Sequence, residues 1–425
     1  MMKYRPRIID HILERKLAGI GAVLIEGPKL CGKTTSAEHI AESILYMAKP
    51  DEMEQNIKIA DLKPSLILDG NTPRLIDEWQ AAPKLWDAVR FEVDHRGKVG
   101  QFILTGSVVP ANRDQIFHSG TGRVAWLKMR TMSLFESGES DGSVSMTDLF
   151  SGDKDIAAKN PIDDIETIAY LAARGGWPTT LDVEKDLALE HVYDYIKAVE
   201  EIDISRVDNV KRDSERAKAL LRVYARCQGN QVTAEAIKQD MLANDSDRLD
   251  TDTVFSYVNA LKKIFVIEDM PAWNPNIRSK TAIRTSDTRY FTDPSIAVAA
   301  LGLGPKDLVN DLKTFGFIFE TLCVRDLRVY ADSLNGQIYH YKDKSGLECD
   351  AVIHLRDGKY GLIEIKLGGE DSIEHGAITL KTLQEKIDTD KMNPPSFLMV
   401  LVGKGTYAYR REDGVYVVPV GCLRD

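Results

Sequence analysis

Apolar residues along this chain change period several times, and the changes mark its elements. The run "GAVLIEG" (21–27) is short and unbroken, as in a buried strand, while "KTTSAEHIAESILYMA" (33–48) returns Ala37, Ile40, Ile44 and Met47 to one helical stripe. The expected order is strand, loop, helix. Two further short runs, "RLIDEWQ" (74–80) and "QFILTGS" (101–107), flank a helix that starts at Pro83 and repeats Leu85, Val89 and Val93. Strands alternating with helices over the first 135 residues predict a parallel sheet with helices packed on it.

Between Ser137 and Asn160 the chain is rich in Ser, Gly and Asp and poor in apolar residues, which predicts a surface insertion or linker. After "RGGWP" (174–178), expected to be a tight turn with Trp177 in a domain interface, the spacing is helical to about Lys263. It then becomes extended through "IFVIEDMPAWN" (264–274) and "TRYFTD" (288–293). Helices followed by a hairpin are the order of a winged helix, with 234–241 and 250–265 as its helix pair and 265–291 as its wing. Past Pro305 a helix over 311–331 leads into three strand-like runs, "GQIYHY", "CDAVIHL" and "YGLIEIKL", the last two joined by a turn at Asp357-Gly358. A helix near 378–387 and the strand "SFLMVLV" complete a second α/β unit.

At 425 residues the chain exceeds what one hydrophobic core organises, so two or three domains are expected. A formal charge of -10 and a pI near 5.5 exclude wholesale coating of nucleic acid. Any DNA contact then needs a local basic face. Residues 205–291 carry 15 Lys+Arg against 12 Asp+Glu, a net of about +3, with Arg278, Lys280 and Arg284 on the expected wing and Asp245, Asp247, Asp250 and Asp252 opposing them. The five cysteines, Cys31, Cys227, Cys323, Cys349 and Cys422, are scattered without a CxxC pair, which argues against a disulfide framework or a zinc site. His118, His340 and His354 are likewise too scattered for a metal triad. With no signal-like start and no apolar run of membrane-spanning length, a soluble cytoplasmic protein without a membrane partner is expected.

The chemistry starts at Gly27-Pro28-Lys29-Leu30-Cys31-Gly32-Lys33-Thr34, followed by Thr35, which satisfies GxxxxGK[ST] between a strand and a helix. In such a loop the glycines let backbone N–H groups approach phosphates, Lys33 reaches the β and γ oxygens, and Thr34 offers a hydroxyl to Mg2+. ATP and Mg2+ are therefore the expected ligands. Hydrolysis needs a second acidic site, and "RLIDE" supplies it: Asp77 for the Mg2+ water shell and Glu78 to orient or deprotonate the attacking water. Thr105, at the end of "FILTGS", is placed to sense the γ-phosphate. Arg123 and Arg130 are candidates for a transition-state arginine, acting within the chain or on a neighbouring subunit.

The order of "AVLIEGPKLCGKT", "TPRLIDEWQ", "FILTGS", "SGTGRVAWLKMRTMSLFESGES", "RGGWP", "DISRVDNVKRD" and "GLECDAVI...YGLIEIKLG" resembles the prokaryotic AAA-type ATP-binding proteins that carry a C-terminal domain of unknown function. The resemblance implies an additional-strand catalytic-Glu sheet, with the "FILTG" strand between the phosphate-loop strand and the "RLIDE" strand. It also marks "DISRVDNVKRD" as a signature, in which Asp203 and Arg206 would relay nucleotide state to the C-terminal half.

In that half, strand periodicity puts Glu364 and Lys366 on one face of "LIEIKL" and Ile363, Ile365 and Leu367 on the other. With Asp350 on the preceding strand and Glu320 on the helix before it, a D...ExK arrangement results, in which Asp350 and Glu364 are candidate ligands of a second Mg2+ and Lys366 positions a water. It looks like the PD-(D/E)xK nuclease core, although "ECD" lacks the proline of the nominal motif. The expected fold is thus α/β: a P-loop AAA-type ATPase domain (1–140), an insertion and helical segment (141–204), a winged-helix-like domain (205–305) and a PD-(D/E)xK-like domain (306–425). The expected function is an ATP-hydrolysing switch coupled to a DNA-processing module. The alternative is a nucleotide-gated signalling or protein-binding module whose nuclease-like domain is inactive.

Overall fold

The computed structural model describes residues 4–107, 120–152, 155–162, 164–208, 210–244, 250–275, 286–390 and 392–425. His118, Asp245, Asp247, Arg278, Lys280 and Arg284 lie outside the described residues. The chain divides into two compact units, residues 1–131, 199–213 and 259–266 in one and 132–198, 214–258 and 267–425 in the other.

The first unit runs α1 (Ile8–Leu17), β1 (Ala22–Glu26), α2 (Lys33–Ile40), β2 (Ser43–Tyr46), α3 (Met53–Leu62), β3 (Arg74–Asp77), α4 (Leu85–Arg96), β4 (Phe102–Gly106) and β5 (Val124–Lys128). The strands form one parallel sheet in the order β2-β3-β4-β1-β5, so the "FILTG" strand lies between β3 and β1. Leu24, Ile76 and Leu104 pack with Trp86 and Val89 in one core cluster, and Val23, Ile25, Leu75 and Ile103 pack with Ile12, Leu13 and Ala37 in another. A sheet covered by apolar side chains on both faces explains why its strands read as unbroken apolar runs.

The expected helical stripe through Ile44 and Met47 is corrected here. The helix stops at Ile40, and Ser43–Tyr46 is an edge strand in parallel register with Arg74–Asp77. Arg74 fixes that edge by donating to Ser43 Oγ (3.0 Å) and Ile67 O (2.9 Å). Pairing with a neighbour has overridden a local spacing that fits either period.

The second unit contains α5 (Leu134–Ser137), β6 (Val144–Ser145), α6 (Met146–Ser151), β7 (Ala157–Lys159), α7 (Ile165–Arg174) and α8 (Lys185–Ala198). After α9 (Ile204–Arg206), which groups with the first unit, come α10 (Ser214–Arg226), α11 (Ala234–Asn244) and α12 (Thr251–Lys263), whose last residues also group with the first. Then follow α13 (Pro294–Leu301), α14 (Pro305–Asn310), α15 (Leu312–Ser333), β8 (Gly336–Lys342), β9 (Glu348–Leu355), β10 (Tyr360–Lys366), α16 (Glu370–Lys386), β11 (Phe397–Val402), β12 (Tyr407–Arg410), β13 (Tyr416–Pro419) and β14 (Leu423–Arg424). Its main sheet has the order β7-β12-β13-β11-β10-β9-β8, with β8, β9 and β10 antiparallel and β10, β11 and β13 parallel. Between α12 and α13 the pairs Ile267–Phe291 and Met270–Thr288 form antiparallel bridges.

Two expectations fail in this unit. The Ser137–Asn160 stretch is no surface linker: Val144, Met146, Leu149 and Phe150 are buried, β6 pairs with β14, and β7 extends the main sheet. Its Ser145 caps a helix, accepting from the backbone N–H of Asp148, as Ser133 just before the stretch does from that of Glu136. Trp177 is buried within the second unit, its Nε1–H donating to Ser295 Oγ at 2.9 Å. The same turn is tied down by Asp293, which accepts from the Gly176 N–H (3.0 Å) and pairs with the buried Arg325 (3.3 Å).

A methyl group at Gly27 would lie 2.1 Å from Met129 O, a backbone atom that cannot rotate away, whereas one at Gly316, inside α15, would meet nothing within 4 Å. Gly27→Ala is expected to lower stability in thermal unfolding by roughly 2 kcal/mol. Gly316→Ala is expected to raise it by about 0.5–1 kcal/mol, because the unfolded chain loses freedom and the helix gains propensity.

Candidate active site

Parallel register places the ends of three strands together. Glu26 is level with Gly106 and Lys128, and Asp77 with Thr105, so the phosphate loop, Asp77 and Thr105 share the carboxyl edge of the sheet. That edge is where open α/β sheets bind ligands. Leu30 (φ 64°) and Gly32 (φ 104°) take left-handed conformations, which turn the loop back on itself ahead of α2. Arg7 clamps it from outside, donating to Cys31 O (2.9 Å) and Arg130 O (2.9 Å). Cys31 is fully buried beneath the loop, while Leu30 is exposed.

Lys33 is buried, with Nζ donating to Gly27 O (3.0 Å) and Pro28 O (2.7 Å), so its ammonium lies on the loop itself. Asp77 Oδ1 accepts from both Thr34 Oγ1 (2.7 Å) and Thr105 Oγ1 (2.7 Å). Thr35 follows Thr34 in the first turn of α2. Glu78 has φ 55°, a conformation unusual for a non-glycine residue, and it aims the carboxylate to accept from Ser107 Oγ (3.3 Å) and Gln80 Nε2. Lys29 Nζ pairs with Asp203 Oδ1 at 2.6 Å.

Arg123 does not join this group. It precedes Val124, which is level with Ala22 at the amino end of β1, and its Nε–H donates to Asp94 on α4 at 2.9 Å. It lies at the sheet edge opposite the phosphate loop. Arg130 follows the carboxyl end of β5 and lies on the loop's side. The partners missed from sequence are Arg7, Gln80, the bond from Ser107 to Glu78 and the pairing of Asp203 with Lys29. Only Ser107 and Gln80 had a local signal, by adjoining the two strand ends.

In the second unit, β9 and β10 run antiparallel with Ala351 level with Ile363, which brings Asp350 beside Glu364. Lys366 Nζ lies 2.6 Å from Glu364 Oε2 and 3.2 Å from Asp350 Oδ2, and Asp350 also accepts the Ile365 N–H at 2.7 Å. Glu364 is 3% exposed, and its Oε1 has no hydrogen-bond partner among the described residues. Burial, reinforced by the Asp350 charge, pushes its carboxyl up, and Lys366 only partly offsets this. Burial lowers the Lys366 pKa, but Asp350 and Glu364 together raise it further, for a net rise.

Glu320, on α15, accepts from the Tyr290 hydroxyl, and burial together with the Asp350 charge also raises its pKa. Asp350, Glu364 and Glu320 do not gather as three metal ligands: among the described residues no group of three or more His, Cys, Asp or Glu side chains could hold a metal ion. Lys366 stands between two of the carboxylates, and Tyr290 occupies the third. His340 and His354 are likewise engaged, His340 by Gln231 and Ser286 O and His354 by Trp273.

Comparison with known proteins bears on these units separately. Residues 20–137 match the AAA domain family, 165–307 a domain of unknown function (DUF8612) and 315–423 another domain of unknown function (DUF4143). The chain thus carries an AAA-type P-loop domain and a DUF4143 region. It is 23% identical over 364 residues to the uncharacterized protein Rv2008c of Mycobacterium tuberculosis, and equally to Mb2031c of Mycobacterium bovis, covering 85% of this chain and 74% of each relative. Among solved structures it is similar to the Walker-type ATPase PABY2304 of Pyrococcus abyssi (14% identity, 70% of this chain and 99% of that one, TM-score 0.40). It is also similar to the Orc1 protein of Aeropyrum pernix in complex with DNA (13% identity, 73% and 97%, TM-score 0.26). Among the described residues no helix is long and apolar enough to cross a membrane.

The buried Glu364 makes stability depend on pH with a definite sign. Its folded pKa, pushed up to about 8, exceeds that of the unfolded chain, so its contribution is complete below the ordinary glutamate range and is lost as pH rises toward 8. Thermal unfolding of the wild type and Glu364→Gln should therefore diverge with pH, the variant becoming the more stable by about 1 kcal/mol or more above pH 8. If the wild type instead loses stability relative to the variant on acidification, the ion pair with Lys366 outweighs burial.

Proposed function

We propose that the chain is a Mg2+-dependent ATP hydrolase in which nucleotide state switches the C-terminal half. The observation that carries this reading is the convergence of the Thr34 and Thr105 hydroxyls on one oxygen of Asp77, beside Glu78 and at the mouth of the phosphate loop. A hydroxyl and a carboxylate 2.7 Å apart form a hard-oxygen pair that suits Mg2+. Thr34 would hold the metal directly and Asp77 through its water shell. Bound with ATP, Mg2+ supplies charge neutralisation at the β and γ oxygens.

The other steps belong to the chain's own residues. Lys33 exchanges its two carbonyl partners for phosphate oxygens, since both bonds are to the loop that would cradle them. Glu78, steered by Ser107 and Gln80, orients a water for in-line attack and accepts its proton. Thr105, hydrogen-bonded to Asp77, reports whether the γ-phosphate is present. A transition-state arginine would come from Arg130 or from a second copy of the chain.

For the C-terminal half, the helix, three strands, helix, strand order of α15 to β11 and the meeting of Asp350, Glu364 and Lys366 support a PD-(D/E)xK-like unit acting on DNA. The three helices and antiparallel bridges before it support a winged helix. A second reading, a nucleotide-gated protein-binding module with an inert nuclease-like fold, is favoured by one observation. Lys366 occupies the space between the two carboxylates that a divalent cation would take. Glu364 Oε1 remains as a buried acceptor for such a cation.

ATP turnover by the wild type and Glu78→Gln, with and without duplex DNA, tests the proposal. The wild type should turn over, and Glu78→Gln should still bind ATP yet hydrolyse it about 100-fold or more slowly. Turnover raised by DNA supports the DNA-processing reading, to be followed by a cleavage assay of Glu364→Ala. Turnover indifferent to DNA supports the protein-binding reading, and full activity in Glu78→Gln would remove the assigned base.

A further inference from the structure

Lys29 lies within the phosphate loop, and its ammonium is 2.6 Å from Asp203 Oδ1. The carboxylate side chain is 10% exposed and the lysine 46%, so the acid is held while the base can leave. Asp203 ends a single π-helical turn, Val199–Asp203, an arrangement that is rare and often found at functional sites. It runs straight into α9, and that stretch is internally braced. Arg212 donates to Ile204 O (2.8 Å) and to both oxygens of Asp208 (2.7 and 3.0 Å), while its backbone N–H donates to Ser205 Oγ (2.9 Å). Displacing Asp203 therefore displaces a braced segment rather than one side chain. The segment 199–213 groups with the first unit, although the chain just before and just after it belongs to the second.

A polyphosphate entering the loop acts on this ion pair twice in the same direction. It competes with Asp203 for the Lys29 ammonium, and its own negative charge repels the Asp203 carboxylate. We infer that the Lys29–Asp203 ion pair is a latch that holds the 199–213 segment on the phosphate loop and is released when a nucleoside triphosphate takes Lys29. Affinity and release are linked reciprocally: the latch weakens nucleotide binding by as much as binding loosens the latch. The inference rests on the ATP reading above. It assigns Asp203 a regulatory role and no part in the chemistry.

The test uses the full chain and a fluorescent N-methylanthraniloyl-ATP with Mg2+, together with amide hydrogen exchange over residues 199–213. Asp203→Asn should bind the probe about threefold more tightly than wild type, since its lysine is already free. Its 199–213 amides should exchange quickly with or without nucleotide, whereas those of the wild type should speed up only when the probe is bound. Lys29→Gln should show the same fast exchange with weaker binding. Equal affinity of Asp203→Asn and wild type, with exchange indifferent to bound nucleotide, would overturn the latch and leave the ATP reading standing. If neither protein binds the probe, the ATP reading falls and takes the latch with it.

Discussion

One carboxylate oxygen organises the first unit. Asp77 Oδ1 receives a hydroxyl from the phosphate-loop helix and another from the neighbouring strand, so a single atom joins three separate segments of chain. This is possible only because the sheet is parallel and in one register, which brings every strand out at the same edge. A one-residue slip of β3 against β4 would turn Asp77 to the other face of the sheet. The apolar packing on both faces is what prevents that slip, and so the core clusters are as much a part of the site as the loop.

The C-terminal cluster obeys the opposite economy. There the sheet turns a carboxylate inward, and Glu364 is more deeply buried than Asp77, with one oxygen left unpaired among the described residues. A buried charge needs a partner, and Lys366 supplies one at 2.6 Å while also meeting Asp350. The three side chains form a cluster in which one lysine bridges two carboxylates. Burial, with the Asp350 charge, raises the pKa values of the two nearby carboxyls Glu320 and Glu364.

Much of the first unit was legible in the sequence because its signals are local. The phosphate loop is eight consecutive residues, and Asp77 and Glu78 directly follow the apolar pair Leu75-Ile76 of a short strand, so period and position alone single them out as candidates. What escaped was set by pairing across the chain. Ile44 and Met47 fit a helical stripe, but β3 claims the stretch as a strand. Arg123 is near the phosphate loop's strand in sequence order, yet its register with β1 places it at the opposite edge of the sheet, which no local spacing tells. The Ser137–Asn160 stretch read as linker because a short strand such as Val144–Ser145 acquires meaning only when Leu423–Arg424 arrives to pair with it. Strand periodicity did find Glu364 and Lys366 on one face, but no spacing could tell that the lysine would lie between the two acids.

The claim on which the account most depends is that Asp77 belongs to a metal–nucleotide site and is not merely a buried acceptor for two threonines. The direct measurement is the affinity of the wild type and Asp77→Asn for ATP, each with Mg2+ and with EDTA. The account predicts that Mg2+ tightens wild-type binding by roughly tenfold and that Asp77→Asn loses most of that gain while still binding free ATP through the loop. A wild type indifferent to Mg2+, or an Asp77→Asn variant that keeps the whole effect, would contradict it.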